Sequence, residues 1–175
     1  MPERNTPEYY AMGLIDQILL QGQDSRLFQA LVQEKGYTSN VSGGINIGLG
    51  NMFDYNGPML WTSNMTYDST LSPDSIINQY NLAVENLKNV TAEDLQLALV
   101  KTRSGLYDAM GGTFGIGKVN LLACFALFDD DPSKINKIET EFKKVTPELI
   151  RKTAEAYLIP SNRTILIIDP KATSK

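Results

Sequence analysis

The segment Gly112-Thr113-Phe114-Gly115-Ile116-Gly117-Lys118 spaces its glycines and lysine as in a loop whose backbone N–H groups and ammonium cradle phosphates. Val119 stands where that chemistry needs a Ser or Thr hydroxyl for magnesium, and Arg103–Asp108 upstream reads as helix rather than buried strand. A helix break or a glycine loop accounts for the same residues. Asp129-Asp130-Asp131 offers carboxylates to a hard cation but lacks the alternating spacing and glycine of a calcium loop. Asp131, directly before Pro132, reads instead as a helix N-cap. The single cysteine, Cys124, sits in the apolar run Leu121-Leu122-Ala123-Cys124-Phe125-Ala126-Leu127-Phe128 and reads as buried packing.

The sequence contains no histidine. Triads built on histidine, histidine-ligated zinc and imidazole proton relays all need a group this chain lacks. It therefore assigns no catalytic residue and no metal ligand here. Sixteen Lys plus Arg against twenty Asp plus Glu give a net charge of −4, so no basic field exists to hold nucleic acid. The apolar run around Cys124 falls well short of the roughly 20 residues of a membrane span, and no membrane partner is expected. Met1-Pro2-Glu3-Arg4-Asn5 has no basic region followed by an apolar one, so no export signal is expected in these residues. Asn-X-Ser/Thr triplets at Asn40, Asn64, Asn89 and Asn162 accept glycans only in a secretory eukaryotic setting. Glu139, Glu141, Lys143 and Lys144 read as a solvated helix face.

A chain of 175 residues buries roughly 70% of its unfolded surface, enough for a real core. Thr6-Pro7-Glu8 starts a helix whose buried face is Tyr10, Leu14, Ile15, Ile18 and Leu19, ending before Gly22. Ser25 begins a second helix running to Lys35, closed by Gly36. From Tyr37 to Leu49 the period changes to two, and Met59–Tyr67 reads as a second strand antiparallel to it. Glycines 43, 44, 48 and 50 predict a bulge or a close approach of another backbone in the first strand. Leu71-Ser72-Pro73-Asp74, Val90-Thr91-Ala92-Glu93 and Val145-Thr146-Pro147-Glu148 each place an apolar residue, a hydroxyl cap and a first-turn acid in order, starting three further helices. Asp131-Pro132 opens a short one. Thr164-Ile165-Leu166-Ile167-Ile168 is apolar on both faces and predicts a strand interior to a sheet, which leaves it wanting neighbours.

Two segments together resemble one family. Ser25-Arg26-Leu27-Phe28-Gln29-Ala30-Leu31, after an amphipathic helix and before a glycine and a Ser/Gly-rich strand, is similar to the C-terminal homologous domain of pitrilysin/insulinase-like zinc metallopeptidases, in the mitochondrial-processing-peptidase-like branch. Val145 to Thr164, closing on the apolar strand, is similar to that domain's ending, and the resemblance covers about Glu8 to Pro170. It implies an α+β fold: a mostly antiparallel sheet packed on one side by helices, a LuxS/metallohydrolase-like half lacking its first strands. It also implies one domain over 1–175, with 1–6 and 171–175 as tails. In that family the N-terminal half carries His-x-x-Glu-His and a downstream Glu, which bind zinc and activate its water, while the other half helps hold the peptide. The implied cofactors are none in this chain and zinc in the partner half. Where the family commonly places an Arg and a Tyr that bind the substrate backbone, this chain has Val32 and Ser39; using Lys35 or Tyr37 restores part of that function. Lys35, Tyr37 and Ser39 are the substrate-binding candidates.

Two readings follow. One is the noncatalytic half of a zinc metalloendopeptidase, inactive alone, closing a chamber and positioning an extended peptide for a zinc-bearing homologous half in the same chain or a separate subunit. The other is a structural or protein-binding scaffold module without a role in proteolysis. Expected partners are that zinc-bearing half and a peptide substrate, with a homodimer open. The resemblance leaves bacterial periplasm and cytoplasm equally open.

Overall fold

The structure, a computed structural model, describes residues 1–48, 50–111 and 116–168. It is a helix-rich α+β arrangement around α1 (Pro7–Leu19). The Thr6 hydroxyl accepts from the Tyr9 N–H, and Pro7 occupies the first turn, where its missing N–H costs nothing. Tyr9, Tyr10, Met12, Leu14, Ile15, Ile18 and Leu19 are all buried, so α1 is covered almost all round, as an apolar helix must be. It packs against α7 (Pro147–Tyr157), α4 (Ala92–Gly111) and α6 (Ile138–Lys143). Each fully buried aliphatic such as Leu14 or Ile15 contributes about 2 kcal/mol.

The second helix, α2 (Arg26–Phe28), continues as a π-helical turn over Gln29–Glu34. Gly36, at φ +61°, takes the chain out of it, and the Tyr37 N–H donates to Leu31 O. Then β1 (Ser42–Ile45) pairs antiparallel with β2 (Trp61–Asn64), in the register Ser42 with Asn64 and Ile45 with Trp61. The expected strand over Tyr37–Leu49 is shorter: Asn46 at φ +59° and Gly48 at φ +86° turn the chain away, while Thr38 makes an isolated bridge to Tyr67. Leu49 lies outside the described residues. The close approach predicted for the glycines is real. A Cβ on Gly43, at φ +151°, would sit 2.1 Å from Thr62 O, so no other residue fits that crossing.

All three expected helix starts hold: α3 (Pro73–Glu85), α4 and α7. At α4 the Thr91 hydroxyl accepts from the Asp94 N–H and the Asp94 carboxylate from the Thr91 N–H, a reciprocal cap. The run around Cys124 forms α5 (Ile116–Asp129), an element the periodicity did not assign. Cys124 is buried there, as expected. The phosphate-loop spacing falls mostly on 112–115, outside the described residues. Asp131 caps the 3₁₀ turn Pro132–Lys137 by accepting from the Ser133 N–H. Glu139–Lys143 and Glu141–Lys144 pair on the exposed face of α6 and just after it, at 2.7 Å each.

Two expectations need correction. The sheet among the described residues has two paired strands rather than a larger antiparallel set. Thr164–Ile168 is not an interior strand: it is unpaired, with Leu166 and Ile168 80% and 78% exposed. A strand's backbone groups need a neighbour, and none of the described residues supplies one. Residues 1–6, read as a tail, are held in place. The Arg4 guanidinium pairs with Asp129 at 2.8 Å with both side chains almost fully buried, donates to Phe53 O, and lies over the rings of Phe125 and Phe128. No helix of the described residues is long and apolar enough to cross a membrane.

Candidate functional site

The polar groups that converge in this molecule start from one residue. Asp16 is the carboxylate buried on α1, facing β1 and β2. The Trp61 indole Nε1–H donates to its Oδ1 at 2.7 Å, and the Gln21 amide donates to its Oδ2 at 3.0 Å. Burial pushes the Asp16 carboxyl up to about 6, against the opposing pull of Trp61, Gln21 and the Lys101 ammonium. Lys101, on α4, crosses to the end of α1, where it donates to Gln17 O, Gln21 O and the Asp24 carboxylate. A cation there meets the negative end of the helix dipole.

Asp16, Gln17, Gln21 and Lys101 line one end of a cleft of about 460 Å³ between α1, α4 and the glycine-rich β1 with its following turn. The other end is apolar, with Ile47, Met52, Leu106, Ala109 and Phe142. Gly44 opens the polar end: a Cβ there would lie 3.2 Å from the Gln21 amide nitrogen and 3.8 Å from Asp16 Oδ1. Gly13 opens the other, where a Cβ would press on the Phe142 ring at 2.8 Å. Thr102 also lines the cleft, and its Oγ1 is buried and has no hydrogen-bond partner among the described residues.

The three substrate-binding candidates lie elsewhere, in the connection between the π-helical turn and β1. Lys35 and Ser39 are exposed, and Tyr37 is half-buried against the core. Between them Thr38 is buried, its hydroxyl 2.7 Å from Thr66 O. Val32 is packed partly into the core. The structure thus gathers the three candidates within one short segment but does not bring them to the cleft. Asp16, Trp61, Lys101 and Thr102 were missed by the sequence reading. The available signal was a carboxylate set among Leu14, Ile15, Ile18 and Leu19 in the apolar second half of that helix.

Zinc does not fit this chain's donors. The sequence has no imidazole, and the one thiol, Cys124, is pushed up by burial and by the Asp54 carboxylate 3.8 Å away. Among the described residues no three His, Cys, Asp or Glu side chains come together as a metal site.

A family profile described as the peptidase M16 inactive domain matches residues 1–102. The chain belongs to this family. The fold of the inactive domain recurs in solved structures. One is the inactive peptidase domain of a protein named as a zinc protease from Bordetella parapertussis, with a TM-score of 0.74 and 22% identity over 94% of this chain and 85% of that one. Another, named likewise, from Bordetella pertussis Tohama I, gives 0.73 and 20% identity over 94% and 86%. A protease from Helicobacter pylori gives 0.71 and 14% identity over 93% of this chain and 37% of that one. At these identities the likeness is one of fold. Comparison with curated proteins gave no match. Among the described residues of the cleft, Asp16 is held by an indole and an amide, and Lys101 by Asp24 and carbonyls.

Proposed function

We propose that this domain is the noncatalytic half of a zinc metalloendopeptidase, completing a chamber around an extended peptide while a homologous half supplies zinc and the general base. The observation that carries this reading is the match of residues 1–102 to the peptidase M16 inactive domain. Closing a chamber excludes bulk water and fixes the scissile bond near the metal, contributions an inert wall makes as well as a reactive one. In this reading the exposed Lys35 and Ser39 and the half-buried Tyr37 contact the peptide main chain, the ammonium and hydroxyl serving as donors to its carbonyls. The test is reconstitution. The pure chain cleaves no peptide, with or without added zinc, and mixing it with a zinc-bearing half raises that half's rate; an unchanged rate contradicts the proposal. Lys35→Ala together with Ser39→Ala, both on exposed positions, raises KM of the reconstituted enzyme by about threefold to tenfold.

A further inference from the structure

We propose that Asn56 is a site of spontaneous covalent modification: the Gly57 backbone nitrogen displaces its side-chain amide, leaving isoaspartate in the loop that holds Arg4.

The argument starts from a dipeptide. Asn56 is the chain's one asparagine followed by glycine. The nitrogen of the next residue lies within reach of an asparagine side-chain carbonyl, and glycine has no Cβ to crowd the approach. Both residues are exposed, and neither the Gly57 N–H nor the Asn56 amide has a hydrogen-bond partner among the described residues. Other asparagines are placed differently. The side-chain amides of Asn51, Asn64, Asn89, Asn120 and Asn162 are all hydrogen-bonded, and each is followed by a bulky residue.

The chemistry needs only water and hydroxide. With its proton taken by hydroxide, the Gly57 nitrogen attacks Asn56 Cγ, the bond from Cγ to the amide nitrogen breaks, and ammonia leaves with a proton from water. The product is a cyclic imide spanning the two residues. Water then adds to one of its carbonyls: breaking the new bond between Cγ and the Gly57 nitrogen gives aspartate, and breaking the original peptide bond gives isoaspartate. In sum one water is consumed and one ammonia released. Nucleophile and carbonyl on adjacent residues make the first step intramolecular, which is the source of its speed.

The position gives the modification a structural consequence. Arg4 donates to Phe53 O at 2.9 Å and to Tyr55 O at 3.3 Å on one side of Asn56, and Met59 is buried on the other. Isoaspartate routes the main chain through its own Cβ, so it lengthens the arch between Tyr55 and Met59 by one carbon and puts a carboxylate where an uncharged amide stood. Both changes fall beside the carbonyls that Arg4 grips, and its hold on the loop loosens.

The experiment incubates the full chain over several weeks at pH 7 and pH 8.5, followed by anion-exchange chromatography and peptide mass spectrometry. Isoaspartate is read by enzymatic methyl transfer to its carboxylate. An acidic species heavier by about 1 Da is expected, mapping to Asn56 ahead of every other asparagine and forming faster at the higher pH. A blocked peptide of residues 53–60 sets the rate of the loop without its fold, and the folded chain reacts within about tenfold of that rate. Asn56→Gln removes the species. Gly57→Ala slows it about tenfold or more, and the nearest neighbours of the new Cβ are atoms of the exposed Tyr55 ring, which can give way, so the variant folds. The separated isoaspartate form unfolds at a lower denaturant midpoint than the unmodified chain. A folded chain more than about tenfold slower than the peptide, an earlier change at another asparagine, or an unchanged rate in Gly57→Ala overturns the site. An isoaspartate form with an unchanged midpoint overturns the loosening of Arg4.

Discussion

The indole of Trp61 on β2 donates to the carboxylate of Asp16 on α1 at 2.7 Å, joining the sheet to the central helix through the one carboxylate buried on that helix. An Asp so placed is costly to ionise, and its environment makes a specific statement about pH.

The carboxyl of Asp16 is pushed up to about 6 in the folded chain from an ordinary value of 3.8, so the native state binds its proton more tightly than the unfolded state does. With a raised carboxyl the stabilising contribution is fully present below about pH 4 and is lost as pH climbs through about 6, by about 3 kcal/mol at most. Urea denaturation of the wild type and Asp16→Asn at pH 4, 5.5 and 7 is expected to show the variant gaining on the wild type as pH rises. Curves that stay parallel across that range contradict this account.

Gly43→Ala places a methyl group against Thr62 O and asks an L-residue to hold φ +151°. The expected loss is about 2–4 kcal/mol, read as a fall in the denaturant midpoint with unchanged slope. Gly36→Ala, at φ +61° with open space around it, should cost only about 1 kcal/mol.

Burial alone would push the Asp129 carboxyl up; the Arg4 guanidinium, Asn5 and Lys134 hold it below the usual range. Removing Arg4 leaves that buried charge to Asn5 and to Lys134 at 3.4 Å, so Arg4→Met is expected to cost about 3 kcal/mol. Adding Asp129→Leu to Arg4→Met should recover much of that loss, which a double-mutant cycle by denaturation measures. Simple additivity of the two changes would show that the pair is not coupled.

Helix caps separate two positions that look alike in sequence. The Thr146 hydroxyl accepts from the Leu149 N–H, whereas Ser72 makes no side-chain cap bond. Thr146→Ala should therefore lower stability by about 1 kcal/mol and Ser72→Ala by much less. Equal losses would contradict the difference in capping.

Leu166 and Ile168 lie open to solvent in a segment without pairing. Changing both to Thr is expected to leave the unfolding midpoint within about 0.5 kcal/mol of wild type while slowing aggregation measured by light scattering, since exposed apolar strands are aggregation sites. A large fall in stability would mean that these side chains pack against the core.

Much of this molecule was legible from local signals. Thr6-Pro7, Thr91-Ala92 and Thr146-Pro147 marked helix starts because capping is settled within four residues, and Gly36 marked an end for the same reason. Gly43 announced a close backbone crossing because only glycine tolerates one. The family, too, was carried by local segments, Ser25–Leu31 and Val145–Thr164, and the absence of histidine excluded imidazole chemistry before any fold was known.

The rest depended on distance along the chain. The Arg4–Asp129 pair spans 125 residues and the Trp61–Asp16 bond 45, and neither has a signature in the residues flanking its ends. Leu121–Phe128 carried no helical period because α5 is apolar on most of its faces, so its helicity follows from the packing of that run against α4 and the Pro132 turn. Thr164–Ile168 had the composition of a buried strand, yet composition supplies only one side of a ladder. Sequence determined which segments cap, turn and bury their side chains; tertiary structure alone decided which carboxylate stands in a cleft and which apolar segment stays open, because those outcomes depend on what packs opposite.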